Sequence, residues 1–81
     1  MTVKIALFAA AREIVGEESL QLQVDDEATV DTVKDILTSR YPELLPLIGV
    51  SSWSVDHEYV TASTELHDGA EIGLIPPVSG G

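Results

Sequence analysis

Two glycines, Gly80 and Gly81, close the sequence, and what they offer to chemistry is a backbone carboxylate rather than a side chain. Lacking Cβ atoms, they let an extended chain enter a channel too narrow for ordinary residues. The carboxylate of Gly81 is then presented to a reagent held in another protein. Pro76-Pro77 lies just upstream and ends any strand ladder, because proline has no amide donor and holds the preceding residue extended. Glycine makes up about 7% of average sequences, so an adjacent pair arises by chance roughly 0.5% of the time. A frayed end would explain polarity, but not a strand that stops at a double proline before Gly-Gly. The pattern therefore favours a functional terminus over a frayed one.

The other reactive side chains form weaker patterns. His57 and His67 sit beside Asp56, Glu58 and Asp68 at turn positions, which points to exposed, ordinary histidines rather than a metal site or an acid–base pair. The hydroxyls of Ser51, Ser52, Thr61, Ser63 and Thr64 have no histidine and acid at a readable spacing, so a nucleophilic hydrolase is not supported. Asp25-Asp26-Glu27 lacks the alternating ligands and the glycine of a calcium loop. Gly69 and Gly73 stand alone and make no phosphate loop. Trp53 is expected in the core or half-buried in a sheet. No metal site and no bound cofactor are expected.

Length and charge narrow the class. Eighty-one residues, 44% hydrophobic and 22% charged, allow one globular domain with a small core. Fourteen acidic residues against Lys4, Arg12, Lys34 and Arg40 give a net charge of −10, which argues against nucleic acid or an anionic membrane as partner. The acidity suits either a partner with a basic docking surface or solubility and salt adaptation. Cysteine is absent, which excludes a disulfide scaffold and a thiolate metal site. With no basic-then-apolar leader and no spanning run, a cytoplasmic protein is expected.

The elements that must hold this end follow from hydrophobic periodicity. Val3–Ala9 alternates, with Val3, Ile5 and Leu7 on one face and Lys4, Ala6 and Phe8 on the other, as a mostly buried central strand. Ala9–Val15 is a turn or two of helix stopped by Gly16. Ser19–Val24 is a strand with Leu20, Leu22 and Val24 inward. Thr29 caps a helix whose Val30, Val33, Ile36 and Leu37 make an apolar stripe, closing near Arg40-Tyr41 before Pro42. Glu43–Val50, broken by Pro46 and Gly49, reads as a packed loop or short helical turn. Ser52–Asp56 is a strand, His57-Glu58 a turn, and Tyr59–Thr61 a short partner strand. Asp68-Gly69 then turns the chain into a last strand through Ile72, Leu74 and Ile75. This is an α+β pattern: a mixed sheet of about five strands with one long helix packed on one face.

Leu7-Phe-Ala-Ala-Ala-Arg-Glu13, Leu66-His-Asp-Gly-Ala-Glu-Ile72 and Pro76-Pro-Val-Ser-Gly-Gly81 together resemble the small, sulfur-carrying subunits of molybdopterin synthase, across the whole chain. The resemblance implies a ubiquitin-like β-grasp, one domain over residues 1–81 with a flexible tail at 77–81. It also implies that a ubiquitin-activating-type enzyme, using ATP and magnesium, adenylates Gly81. Sulfur from a donor protein then displaces AMP to leave a thiocarboxylate. The tail enters the large synthase subunit, in a heterotetramer of two small and two large subunits, and sulfur passes to the pterin precursor. Residues implied to meet the partner are Phe8, Arg12, Ile75, Pro76, Pro77, Val78, Ser79 and Gly80. Many relatives place an aromatic where Ile75 stands, so its apolar anchor is smaller here.

On this reading the chain performs no side-chain catalysis; it is the sulfur-donating subunit of a sulfurtransferase and supplies a positioned terminus. A carboxylate resists nucleophilic attack until adenylation turns its oxygen into a leaving group. The same terminus serves a sulfur carrier for thiamine or tRNA thiolation, or a protein modifier joined to lysines, and the sequence leaves these open. A purely structural binding module is the remaining class.

Overall fold

Every second residue of Thr2–Leu7 is apolar and buried, and this strand, β1, organises half the sheet. It pairs antiparallel with β2 (Ser19–Gln23), Ile5 opposite Leu20, and parallel with β5 (Glu71–Ile75), Ile5 opposite Ile72. On the far side β5 pairs antiparallel with β3 (Ser52–Val55), which forms a hairpin with β4 (Glu58–Val60). The order is β2-β1-β5-β3-β4, so the last strand in sequence is the middle strand in space. This mixed five-stranded sheet is the ubiquitin-like β-grasp that the resemblance implies. The computed structural model describes residues 1–77; the tail positions Val78, Ser79, Gly80 and Gly81 lie outside the described residues.

One face of the sheet is covered by α2 (Val30–Arg40), whose Val30, Val33 and Leu37 are completely buried against Val3, Ile5, Ile72 and Leu74. Ile36, at the edge of the same stripe, is only partly covered. The N-terminus of α2 is well satisfied. Thr29 donates its amide to Thr32 Oγ1 at 3.0 Å, while the amides of Val30 and Asp31 reach the carbonyls of Thr64 and Ala62 at 3.0 and 2.9 Å. The connector between β4 and β5 therefore doubles as the cap of the main helix.

The expectation of one long helix is corrected: the described residues contain three α-helices. Besides α2 there are α1 (Ala9–Val15) and α3 (Leu45–Ile48), the latter entered through a single 3-10 turn at Pro42–Leu44. Gly16 ends α1 in the left-handed region, φ 84°, with its amide on the Arg12 carbonyl. Of the two readings of this segment, packed loop or short helical turn, the structure takes the helical one, and its prolines start the turns. Pro42 and Pro46 both occupy first-turn positions, where the missing amide has no intrahelical partner to lose. Leu44 and Ile48 then close one end of the core.

The β3–β4 hairpin is also corrected by one residue. Asp56 and His57, not His57 and Glu58, form the turn, with φ of 51° and 71°. A two-residue hairpin loop needs left-handed backbone at both positions to match strand twist, and Asp and His tolerate it better than a β-branched residue would. Trp53 is buried, as the sequence suggests.

Candidate functional site

The sheet's second face carries no helix, and register decides what it presents. Ala6 of β1, Gly73 of β5, Ser54 of β3 and Tyr59 of β4 lie side by side in one row across four strands. Three of the four are small, so the row is a trough. Its floor is low at Gly73, where an added Cβ would stand 2.5 Å from Ser54 Oγ and force that hydroxyl to move. The trough opens as a groove of about 240 Å³ lined by Ala6, Ser54 and Gly73, with Phe8 and Ile75 toward one end, Tyr59 at the side, and Glu71 and His57 toward the other.

Phe8 and Tyr59 are among the few large apolar side chains left exposed, 48% and 72% respectively, which marks this face as unfinished without a second surface. Backbone geometry sets Phe8 there. It remains extended as the cap of α1 (φ −127°, ψ 151°), and Ala9 turns the chain into the helix through a left-handed φ of 48°. A left-handed alanine costs about 1–2 kcal/mol, so the bend is held by what surrounds it.

At the far end, His57 Nε2 lies 3.6 Å from Glu71 Oε2. Behind it, Asp56 accepts the amide of Glu71 on Oδ1 at 3.1 Å and meets His67 Nε2 on Oδ2 at 2.6 Å. The other ring nitrogen of His67 donates to the Asp68 carbonyl at 2.9 Å. A ring between a carboxylate and a carbonyl satisfies both only as the imidazolium, since both acceptors need a proton. The Asp56 hydrogen bond, and then the Asp68 carbonyl, raise His67 above its ordinary value. Reciprocally, the His67 hydrogen bond and the Glu71 amide hold Asp56 below the usual carboxylate range. Sequence reading treated both histidines as ordinary; His67 is exposed but engaged. Among the described residues, no three His, Asp or Glu side chains are placed to hold a metal ion.

The sequence-derived partner residues divide as follows. Phe8 and Ile75 both line the groove, and Pro76 and Pro77 follow Ile75 directly, leaving the sheet at that end. Ile75 sits opposite Ser52, on the outward face with Glu71 and Gly73. Arg12 does not line the groove; its guanidinium is 3.8 Å from Glu18 in an exposed pair. Val78, Ser79, Gly80 and the catalytic candidate Gly81 lie outside the described residues. Tyr59 was missed. The alternation through Ser52–Val55 and the short loop after it were the available signals, since together they turn Tyr59 to the same face as Ser54.

Known proteins share this architecture. A family model described as the ThiS family matches residues 5–81. The molybdopterin synthase sulfur carrier subunit of Dictyostelium discoideum is 35% identical, over 96% of this chain and 94% of its own. The solution structure of small archaeal modifier protein 1 from Methanosarcina acetivorans aligns with a TM-score of 0.85 at 32% identity, over 99% of this chain and 96% of that one. A complex of subunits 1 and 2 of the molybdopterin-converting factor from Helicobacter pylori aligns at 0.75 and 26%, over the whole of both chains.

Proposed function

Because the chain belongs to the ThiS family, as a ubiquitin-like sulfur carrier, we propose that it delivers sulfur within molybdopterin synthase from a thiocarboxylate on Gly81. An activating enzyme of the ubiquitin type brings ATP and magnesium, and a carboxylate oxygen of Gly81 attacks the α-phosphorus with loss of pyrophosphate. A sulfur donor protein then supplies the nucleophile that displaces AMP. The loaded tail enters the large subunit, where the thiocarboxylate sulfur bonds to the pterin precursor and water then cleaves the acyl–sulfur bond, returning the Gly81 carboxylate. The assembly is a heterotetramer of two small and two large subunits. This chain contributes no acid or base; it places the terminus, and effective concentration does the rest.

One observation carries the reading. The groove with its exposed Phe8 and Tyr59 adjoins the point where β5 hands over to Pro76-Pro77. A partner that grips the sheet face beside that stalk thereby holds the root of the tail. Ile75 and the prolines fix direction, while Val78, Ser79 and Gly80 form the slim neck. The Helicobacter pylori protein, whose structure is a complex with a second converting-factor subunit, gives the precedent for such a partner. Arg12 is proposed to flank this surface from α1.

Intact mass tests the proposal. After incubation with activating enzyme, ATP, magnesium and a sulfur donor, one oxygen at the C-terminus is expected to be exchanged for sulfur. An unchanged mass would overturn it. The likeness to a small archaeal modifier protein favours a second reading, in which the same adenylate is captured by lysines of other proteins. Ladders of isopeptide-linked targets, without thiocarboxylate, would support that instead. Exchange without use by the large subunit would move the carrier to thiamine or tRNA thiolation.

A further inference from the structure

We infer that the groove beside the tail is a receptor for a single arginine side chain of the large synthase subunit. The inference rests on the carrier reading above and names the partner chemistry that the groove selects. Its floor, Ala6-Gly73-Ser54 across three strands, is built of small residues and leaves room for a side chain to lie along the sheet. Phe8 and Tyr59 supply aromatic surface along that body, and Glu71 supplies a carboxylate at the end away from the tail. A guest that satisfies all three has an apolar stem, a flat head that lies against a ring, and a positive charge.

Arginine fits this set better than lysine. Its guanidinium stacks on aromatic faces and offers two parallel N–H groups to a carboxylate, whereas an ammonium is a strongly hydrated point charge. The surrounding field acts in the same sense, because a net charge of −10 attracts a cationic side chain and repels an acidic one. Glu71 is available to such a guest. Its neighbour His57 is 85% exposed and 3.6 Å away, so the ring swings aside without loss of packing. Asp56 is already bonded to His67 and to the Glu71 amide. Lys4, cross-strand from Glu71, does not line the groove and makes no ion pair with it among the described residues.

The test uses the full chain and the large subunit, with affinity measured at low and high salt for wild type and Glu71→Gln. The variant is expected to fold with unchanged Tm, to bind about tenfold more weakly at low salt, and to lose part of the salt dependence. A second readout maps large-subunit arginines modified by phenylglyoxal in each complex at saturation. One arginine should be shielded by wild type and become reactive with Glu71→Gln. Wild-type binding with equal affinity, equal salt dependence or an unchanged modification map for the variant overturns the arginine receptor and leaves the function standing. Absence of any wild-type binding overturns the molybdopterin synthase reading and this inference with it.

Discussion

Ser54 and Gly73 face each other across β3 and β5, and Ser54 Oγ lies 2.5 Å from where a Cβ on Gly73 would stand. The glycine is thus favoured by proximity, not by a turn: any side chain there obliges the Ser54 hydroxyl to move. Alanine there trades a gain in backbone rigidity against a collision in a packed floor. Gly73→Ala is expected to destabilise by about 1–2 kcal/mol in a denaturant titration. In a Ser54→Ala background, where the colliding oxygen is gone, the same change should be neutral or stabilising by about 0.5 kcal/mol. Equal costs in both backgrounds would show that another contact sets the requirement.

The His67–Asp56 pair gives stability a pH window. His67 is raised from 6.5, so its contribution is complete below that value and fades as pH rises through the raised one. Asp56 is lowered from 3.8, so its contribution is present above that value and fades as pH falls through the lowered one. The Tm difference between wild type and His67→Gln should therefore be widest between these two ordinary values and shrink toward alkaline pH. Curves that stay parallel through neutral and alkaline pH would remove the pair from the account.

Leu37 is fully buried in the face of α2 that meets the sheet. Leu37→Ala should cost about 2–5 kcal/mol. Against a total of about 4–12 kcal/mol for a domain of this size, that is a large fraction of the stability. Thermal unfolding monitored by circular dichroism measures the loss.

Tyr59 is the converse case, exposed and without a structural task. Tyr59→Ala should change stability by less than about 1 kcal/mol while weakening the large-subunit complex about tenfold or more. Phe8→Ala should weaken it similarly. Calorimetric titration of folded variants separates the two effects; unchanged affinity for both would move the interface off this face.

The sequence made the alternating strands and the α2 stripe legible because each needs only its own periodicity. Leu20, Leu22 and Val30 stand where that reasoning puts them. The short helix Ala9–Val15 with its Gly16 stop was legible too, but the segment 42–48 was harder, since Pro42 and Pro46 punctuate a chain identically whether they break a helix or begin one. The hairpin slipped by one residue because Asp56 tolerates left-handed backbone without being glycine. The pairing of His67, in the connector before β5, with Asp56, in the β3–β4 turn, and the approach of Tyr59 to the Gly73 floor both depend on the register of β3 against β5. No local pattern encodes that register. The terminal Gly-Gly was legible from composition alone, while the surface beside its stalk required the sheet order.

The central claim is that the reactive group is the backbone end of the chain, and reconstitution tests it most directly. Full-length protein and a chain lacking Gly80 and Gly81 are compared, each with activating enzyme, sulfur donor and large subunit, and conversion of the pterin precursor is measured. The account predicts that the shortened chain folds and still binds the large subunit but yields no product. Product formed at the full-length rate by the shortened chain would contradict it.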